Sequence, residues 1–135
     1  MGQSTNQGEV YFALMSDRDF DPALVSQRLG IEPSRVLRKA NPKPKITSWA
    51  LSSGKVAGEV VDVYAMSAPL ISRLTPLTER IRQLMSELDL SAVFQVVLHI
   101  SMDDAKSTPA IGFDSATVKF LADVGASIDV DTYRA

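Results

Sequence analysis

The hexapeptide Phe20-Asp21-Pro22-Ala23-Leu24-Val25 is echoed late in the chain by Phe113-Asp114-Ser115-Ala116-Thr117-Val118. The shared Phe-Asp-x-Ala-x-Val frame follows an apolar run each time. Each copy opens a short amphipathic segment ending at a glycine, Gly30 or Gly125. The chemistry of the frame is that of a helix start. An aspartate there accepts hydrogen bonds from the free N–H groups of the first turn, and Pro22 sits where no N–H is needed. Gly30 and Gly125 suit the left-handed position that closes a helix. The repeat predicts two strand-to-helix units and assigns Asp21 and Asp114 to capping, not to catalysis.

Around these units the pattern alternates between strand and helix. Residues 9–16 form an apolar run on both alternating faces, which predicts a central strand. Pro33, Pro42 and Pro44 forbid a long regular element after Gly30. Residues 35–39 can form an edge strand pairing with 46–52, where Trp49 and Leu51 point inward, across a turn at 41–44. Residues 55–66 fit either a helix or a strand. A helix is expected over 67–74 with Ser67 as its cap and Pro69 near its start, and another from Thr75, with Leu77, Ile81, Leu84, Met85 and Leu88 on its apolar face. Residues 92–102 form a long strand with Val93, Gln95, Val97 and His99 on one face. In the second Phe-Asp helix Val118, Leu121 and Ala122 are expected to face inward. Residues 126–133 alternate as a last strand, with Ile128 and Val130 in and Asp129, Asp131 and Tyr133 out.

The expected fold is α+β: a two-layer sandwich of one mostly antiparallel sheet with helices on one face. The repeated unit makes a ferredoxin-like pseudo-duplication the natural arrangement. Residues 1–8 are expected to be a mobile polar tail, without the basic and apolar regions of a signal peptide, and residues 9–135 a single domain.

Composition narrows the chemistry. With 45% apolar and 22% charged residues the 135-residue chain is of ordinary globular make-up. No apolar run reaches the roughly 18 residues of a membrane helix. There is no cysteine and a single histidine, His99. Disulfides and thiolate chemistry are thereby excluded, a His-rich metal site is disfavoured, and a cytoplasmic location is expected. The net charge of −2 is unevenly spread. Arg35, Arg38, Lys39, Lys43, Lys45 and Lys55 lie between Pro33 and Gly58 without an acid, whereas Asp103 onward holds six aspartates.

Two places could carry function. Asp129, Asp131 and Tyr133 recur by two on one strand, which puts neighbouring carboxylates about 7 Å apart. With His99 on a neighbouring strand they could divide acid and base roles or hold a small ligand. The plainer account is a solvated face whose aspartates discourage edge-to-edge aggregation. The basic residues Arg35, Arg38, Lys39, Lys43 and Lys45 could meet an acidic protein. Nucleic acid is disfavoured there, because the chain is slightly acidic overall and no aromatic residue lies between Phe20 and Trp49. The plainer account is a solvated loop. Phosphate-loop and serine-elbow motifs are absent.

The ordered set Phe20-Asp21-Pro22, Leu29-Gly30-Ile31-Glu32-Pro33-Ser34, Arg38-Lys39, Trp49, the leucine-rich helices near 70–88 and Gly125-Ala126-Ser127-Ile128-Asp129-Val130-Asp131-x-Tyr133 resembles an uncharacterised, mainly bacterial family. That family is catalogued as domain of unknown function 4279. The resemblance spans roughly residues 9–133, and Ala40 departs from it where glycine is expected. It implies a compact bacterial α+β domain and supplies no activity, substrate or catalytic residue.

The resulting expectation is a non-catalytic protein-interaction or regulatory module, without cofactor or metal. Its partner would be an unidentified protein, or a second copy through a free strand edge. The alternatives are a small enzyme or ligand binder using His99, Asp129, Asp131 and Tyr133, and weak nucleic-acid binding through residues 35–55.

Overall fold

A computed structural model describes residues 5–135. The elements run β1 (Asn6–Ser16), α1 (Pro22–Leu29), β2 (Arg35–Leu37), β3 (Thr47–Ser52), β4 (Val56–Gly58), α2 (Val63–Leu74), a 3₁₀ turn (Thr75–Leu77), α3 (Thr78–Leu88), β5 (Ser91–Ile100), α4 (Ser115–Val124) and β6 (Ser127–Arg134). The strands form one six-stranded sheet in the order β2-β3-β1-β5-β6, with β4 also paired to β1. Every pairing is antiparallel except β5 with β6.

The α+β class with a mostly antiparallel sheet is therefore the observed one. The arrangement is ferredoxin-like with an extension. The halves β1-α1-β2 and β3-α2/α3-β5 interleave in the order β2-β3-β1-β5, with β1 parallel to β2 and β3 parallel to β5 across one strand each. α4 with β6 adds to the β5 edge. After α1 the chain enters β2, parallel to β1 with β3 between them, whereas β5-α4-β6 returns a strand parallel and adjacent. Proline-rich residues 33–44 contain β2 and the turn that leads back into β3, whereas only Gly125 and Ala126 separate α4 from β6. The two βαβ halves are thus present, but α4 lies outside them, so the Phe-Asp repeat marks how α1 and α4 begin and end and not the two halves.

Those helix ends follow the sequence closely. Asp21 accepts from Ala23 N–H at 3.0 Å and Asp114 from Thr117 N–H at 2.8 Å. Gly30 and Gly125 close their helices at φ 68° and 71°. The cap fixes the phase of α4. Thr117, Phe120, Leu121 and Val124 are buried, while Val118 is exposed and Ala122 faces out, a rotation from the expected stripe.

Residues 61–90 differ more. Asp62 caps α2 by accepting from Tyr64 and Ala65 N–H. Ser67 is a buried interior residue of that helix and Pro69 lies within it. Thr75 is not the N-cap of the next helix but closes α2, its hydroxyl donating to the Ile71 carbonyl at 2.7 Å. The 3₁₀ turn carries the chain from α2 into α3 without a break. Ile81 and Leu84 are the buried residues of α3, with Leu77, Met85 and Leu88 packed partly against the core.

The sheet extends further towards the N-terminus than the polar composition suggests. Asn6 to Gly8, expected in the tail, belong to β1; all three pair with β4, and Gln7 and Gly8 also with β5. Asn6 is only 1% exposed. Its amide donates to the carbonyls of Ser107 at 2.6 Å and Glu59 at 3.3 Å, and its oxygen accepts from Ser101 N–H at 2.8 Å. The remainder of the expected tail, residues 1–4, lies outside the described residues.

All the helices pack over the sheet face that carries Val10, Phe12, Leu14, Trp49, Phe94, Val96 and Leu98. Phe120 meets Phe12 edge-on at 5.6 Å, and Trp49 Nε1 donates to Ser26 Oγ at 3.0 Å. Phe20 is core, and Phe113 packs edge-on against Phe94 at 6.2 Å. The two phenylalanines of the repeat therefore anchor the chain as it enters each helix. Ile128 and Val130 point to this side but stay 42% and 38% exposed. They lie on the edge strand, beyond the reach of α4, so the expected burial does not occur.

Candidate functional site on the open sheet face

The opposite face of the sheet carries no helix among the described residues. Its side chains fall in cross-strand rows set by the registers. One row runs Arg35, Ala50, Ala13, Val93, Ser127 and the next Ser52, Tyr11, Gln95, Asp129. A third holds Glu9, Val97 and Asp131, and a fourth Ala57, Gln7, His99 and Tyr133. His99, Asp129, Asp131 and Tyr133 thus share one face, as alternation requires.

Polar side chains on this face hold one another in place. Arg35 Nη1 donates to Glu9 Oε2 at 2.8 Å, and Ser52 Oγ donates to the same oxygen at 2.6 Å. The Arg35 guanidinium also lies 4.7 Å from the centre of the Tyr11 ring, a cation–π distance. Burial pushes the Tyr11 phenol above its ordinary value of 10.0; Arg35 opposes this, and Glu9, Asp131 and Asp129 add to it. Gln95 Nε2 donates to Asp131 Oδ2 at 3.1 Å. His99 stacks on Tyr133, ring centres 5.0 Å apart and 20° from parallel.

Although uncovered, the floor of the face is tightly screened by its own neighbours. Ala13 is 1% exposed, and Glu9 and Gln95 are each 8% exposed. At one end a cleft of about 200 Å³ is lined by Gln7, Glu9, Lys55, Ala57, Val97 and His99. Asp129 and Asp131 lie outside it, and Tyr133 stands on a separate shallow surface with Met102 and Asp104. Shared face therefore does not mean shared cavity: His99 is grouped with Glu9 and Lys55, not with the terminal aspartates. Among the described residues no three His, Cys, Asp or Glu side chains converge as metal ligands would.

The basic segment is divided. Arg35 pairs with Glu9, and Arg38 grips Asp19 through both carboxylate oxygens at 3.0 and 2.8 Å. Lys39 Nζ donates to the Asp17 carbonyl at 2.6 Å. Lys43 and Lys45 take part in no ion pair among the described residues. Half of the apparent positive patch is thus spent on tying β2 and the following loop to the end of β1.

Glu9, Tyr11, Ser52 and Gln95 were not singled out by composition or motif. The available signal was their polarity at alternate positions within otherwise apolar strands. A second groove of about 450 Å³ lies beside α2, lined mainly by Val56, Val60, Met66, Pro69 and Leu70, with Arg73 at its rim. It reaches the polar array only at Ser52, which also lines the groove.

The fold defines an open-faced α+β sandwich. A family model for a domain of unknown function, DUF4279, matches residues 5–135, and the chain belongs to that family. No curated protein and no solved structure is significantly similar to it. No helix among the described residues is long and apolar enough to cross a membrane.

Proposed function

We propose that this chain is a non-catalytic protein-interaction or regulatory module that presents the open face of its sheet to a partner. The observation that carries this reading is the fixed polar array on an uncovered face. Arg35, Glu9, Ser52, Gln95 and Asp131 are oriented by one another, so a partner meets side chains already ordered, and little rotamer entropy is lost on contact. The exposed Tyr133 and the half-buried Val97 and His99 supply apolar and aromatic area beside that array. The absence of cysteine from the sequence suits the reducing cytoplasm of a bacterial cell.

The test compares two variants of the whole chain as bait in bacterial lysate. Val97→Arg with Tyr133→Ala alters the face at positions that are not core, and Lys43→Glu with Lys45→Glu alters the loop. Loss of a captured protein with the face variant alone, at unchanged melting temperature, is the expected result. Equal recovery by both variants and the parent chain would overturn the reading.

A further inference from the structure

The outer edge of the sheet offers a different kind of surface from its face. Among the described residues β6 pairs only with β5, and all of its residues are exposed. Ala135 N–H donates to the Ile100 carbonyl at 2.8 Å. In a parallel ladder such groups recur at every second residue. The backbone groups of Asp129, Asp131 and Tyr133 therefore turn towards β5, and those of Ile128, Val130, Thr132 and Arg134 turn outward. A row of main-chain donors and acceptors is left for another strand.

Side chains along this edge alternate in character. Asp129, Asp131 and Tyr133 stand on the open face, and Ile128 and Val130 on the helix face, where both remain exposed. Neither aspartate has an ion-pair partner among the described residues. A strand matching this edge would carry Lys or Arg opposite the aspartates and apolar residues at the positions between.

A second copy of β6 does not match. Antiparallel pairing about a two-fold axis keeps each residue on its own face. Registers centred on Asp129, Val130 or Asp131 then set carboxylate against carboxylate, which destabilises the pair. The basic β2 edge of another copy fits poorly as well, since it has three residues and Arg35 and Arg38 are bound to Glu9 and Asp19.

We infer that β6 accepts an extended basic segment of a partner protein, with Lys or Arg at alternate positions, as an added strand of the sheet. This rests on the reading of the chain as an interaction module and names the chemistry of its partner.

The test uses the full chain and three synthetic peptides of about eight residues: alternating Lys-Val, the same composition arranged in two blocks, and alternating Glu-Val. Amide exchange of β6 is followed by NMR. The expected result is slower exchange at Ile128, Val130 and Thr132 with the alternating Lys-Val peptide alone. Asp129→Asn with Asp131→Asn should weaken that binding about tenfold, the combined effect of two cross-strand charge pairs. Equal binding of the block peptide would reduce the effect to charge attraction and overturn the inference. So would an absence of binding, or edge protection that grows with protein concentration without peptide. Shifts confined to the rows around Tyr11 and Val97, with the β6 amides unprotected, would overturn the edge inference while leaving the open-face reading standing.

Discussion

Arg35 reaches across β3 to Glu9, closing a 2.8 Å ion pair in which the carboxylate side chain is only 10% exposed while the guanidinium is 47% exposed. The asymmetry gives the two partners different roles. Arg35 can return to water, but Glu9 without Arg35 keeps only the Ser52 hydroxyl as a side-chain donor. Replacing Arg35 with Met should cost about 1–3 kcal/mol of stability, the range for leaving a buried acceptor under-satisfied. Adding Glu9→Gln should recover part of that loss. Urea unfolding of the two single variants and the double variant measures the coupling.

Asp19 gives the chain an acid-sensitive contact. Its carboxyl is lowered from 3.8 to about 2, first by the hydrogen bond from Arg38 and then by that from Thr47. A depressed carboxyl contributes stability that is fully present above the unfolded value, and that contribution is lost as pH falls through the folded one. The increment from Asp19 should therefore fade between about pH 4 and pH 2. Asp19→Asn should flatten that part of the acid-unfolding curve followed by circular dichroism. An unchanged profile would show that the Arg38 grip does not persist in solution.

Ser67 presents the opposite case. Its hydroxyl is buried inside α2 and has no hydrogen-bond partner among the described residues. Ser67→Ala removes that atom and improves helix propensity, so the variant should be more stable by about 1 kcal/mol. Thermal and urea unfolding are sufficient to check the sign.

Asn6 binds three backbone groups that belong to the segments around Glu59 and residues 101–107. Asn6→Ala should lower stability by about 1–3 kcal/mol. Amide exchange should speed up first at Ser101 and its neighbours, while the centre of β5 stays protected. Uniform acceleration across the sheet would mean that Asn6 supports the whole domain and not that loop.

Gly8 marks a close approach of the sheet to the segment before α2. A Cβ there would lie 2.6 Å from Val61 Cγ1 and 3.2 Å from Leu98 Cδ2. Both neighbours are buried, so Gly8→Ala should cost about 1–3 kcal/mol by overpacking. Adding Val61→Ala should relieve most of it.

The fold was legible where local chemistry decides. Asp21, Asp114, Gly30 and Gly125 announced the ends of α1 and α4, and Trp49 its core position, because caps and apolar alternation depend on near neighbours. Legibility failed where distant partners decide. The polar Asn6-Gln7-Gly8 becomes strand only because β4 and β5 flank it. Pro69 stays inside α2 because Asp62, seven residues earlier, already caps that helix. Likewise the open face was visible as His99, Asp129, Asp131 and Tyr133, but its fixed array was not. Glu9, Tyr11, Ser52 and Gln95 come together only through the registers of β1 with β3 and β5.

β1 lies at the centre of the sheet, and its neighbours come from distant parts of the chain. It pairs with β3 and β4 on one side and with β5 on the other, where Gln7 meets His99 and Met15 meets Ser91. A ribosome must therefore release residues up to 100 before β1 has both neighbours. Until then a growing chain holds α1 and the β2–β3 hairpin against an unsealed β1 edge rich in apolar residues. Sheet closure comes late in synthesis, and nascent chains stalled between β3 and β5 are the species most exposed to aggregation and most in need of chaperone cover.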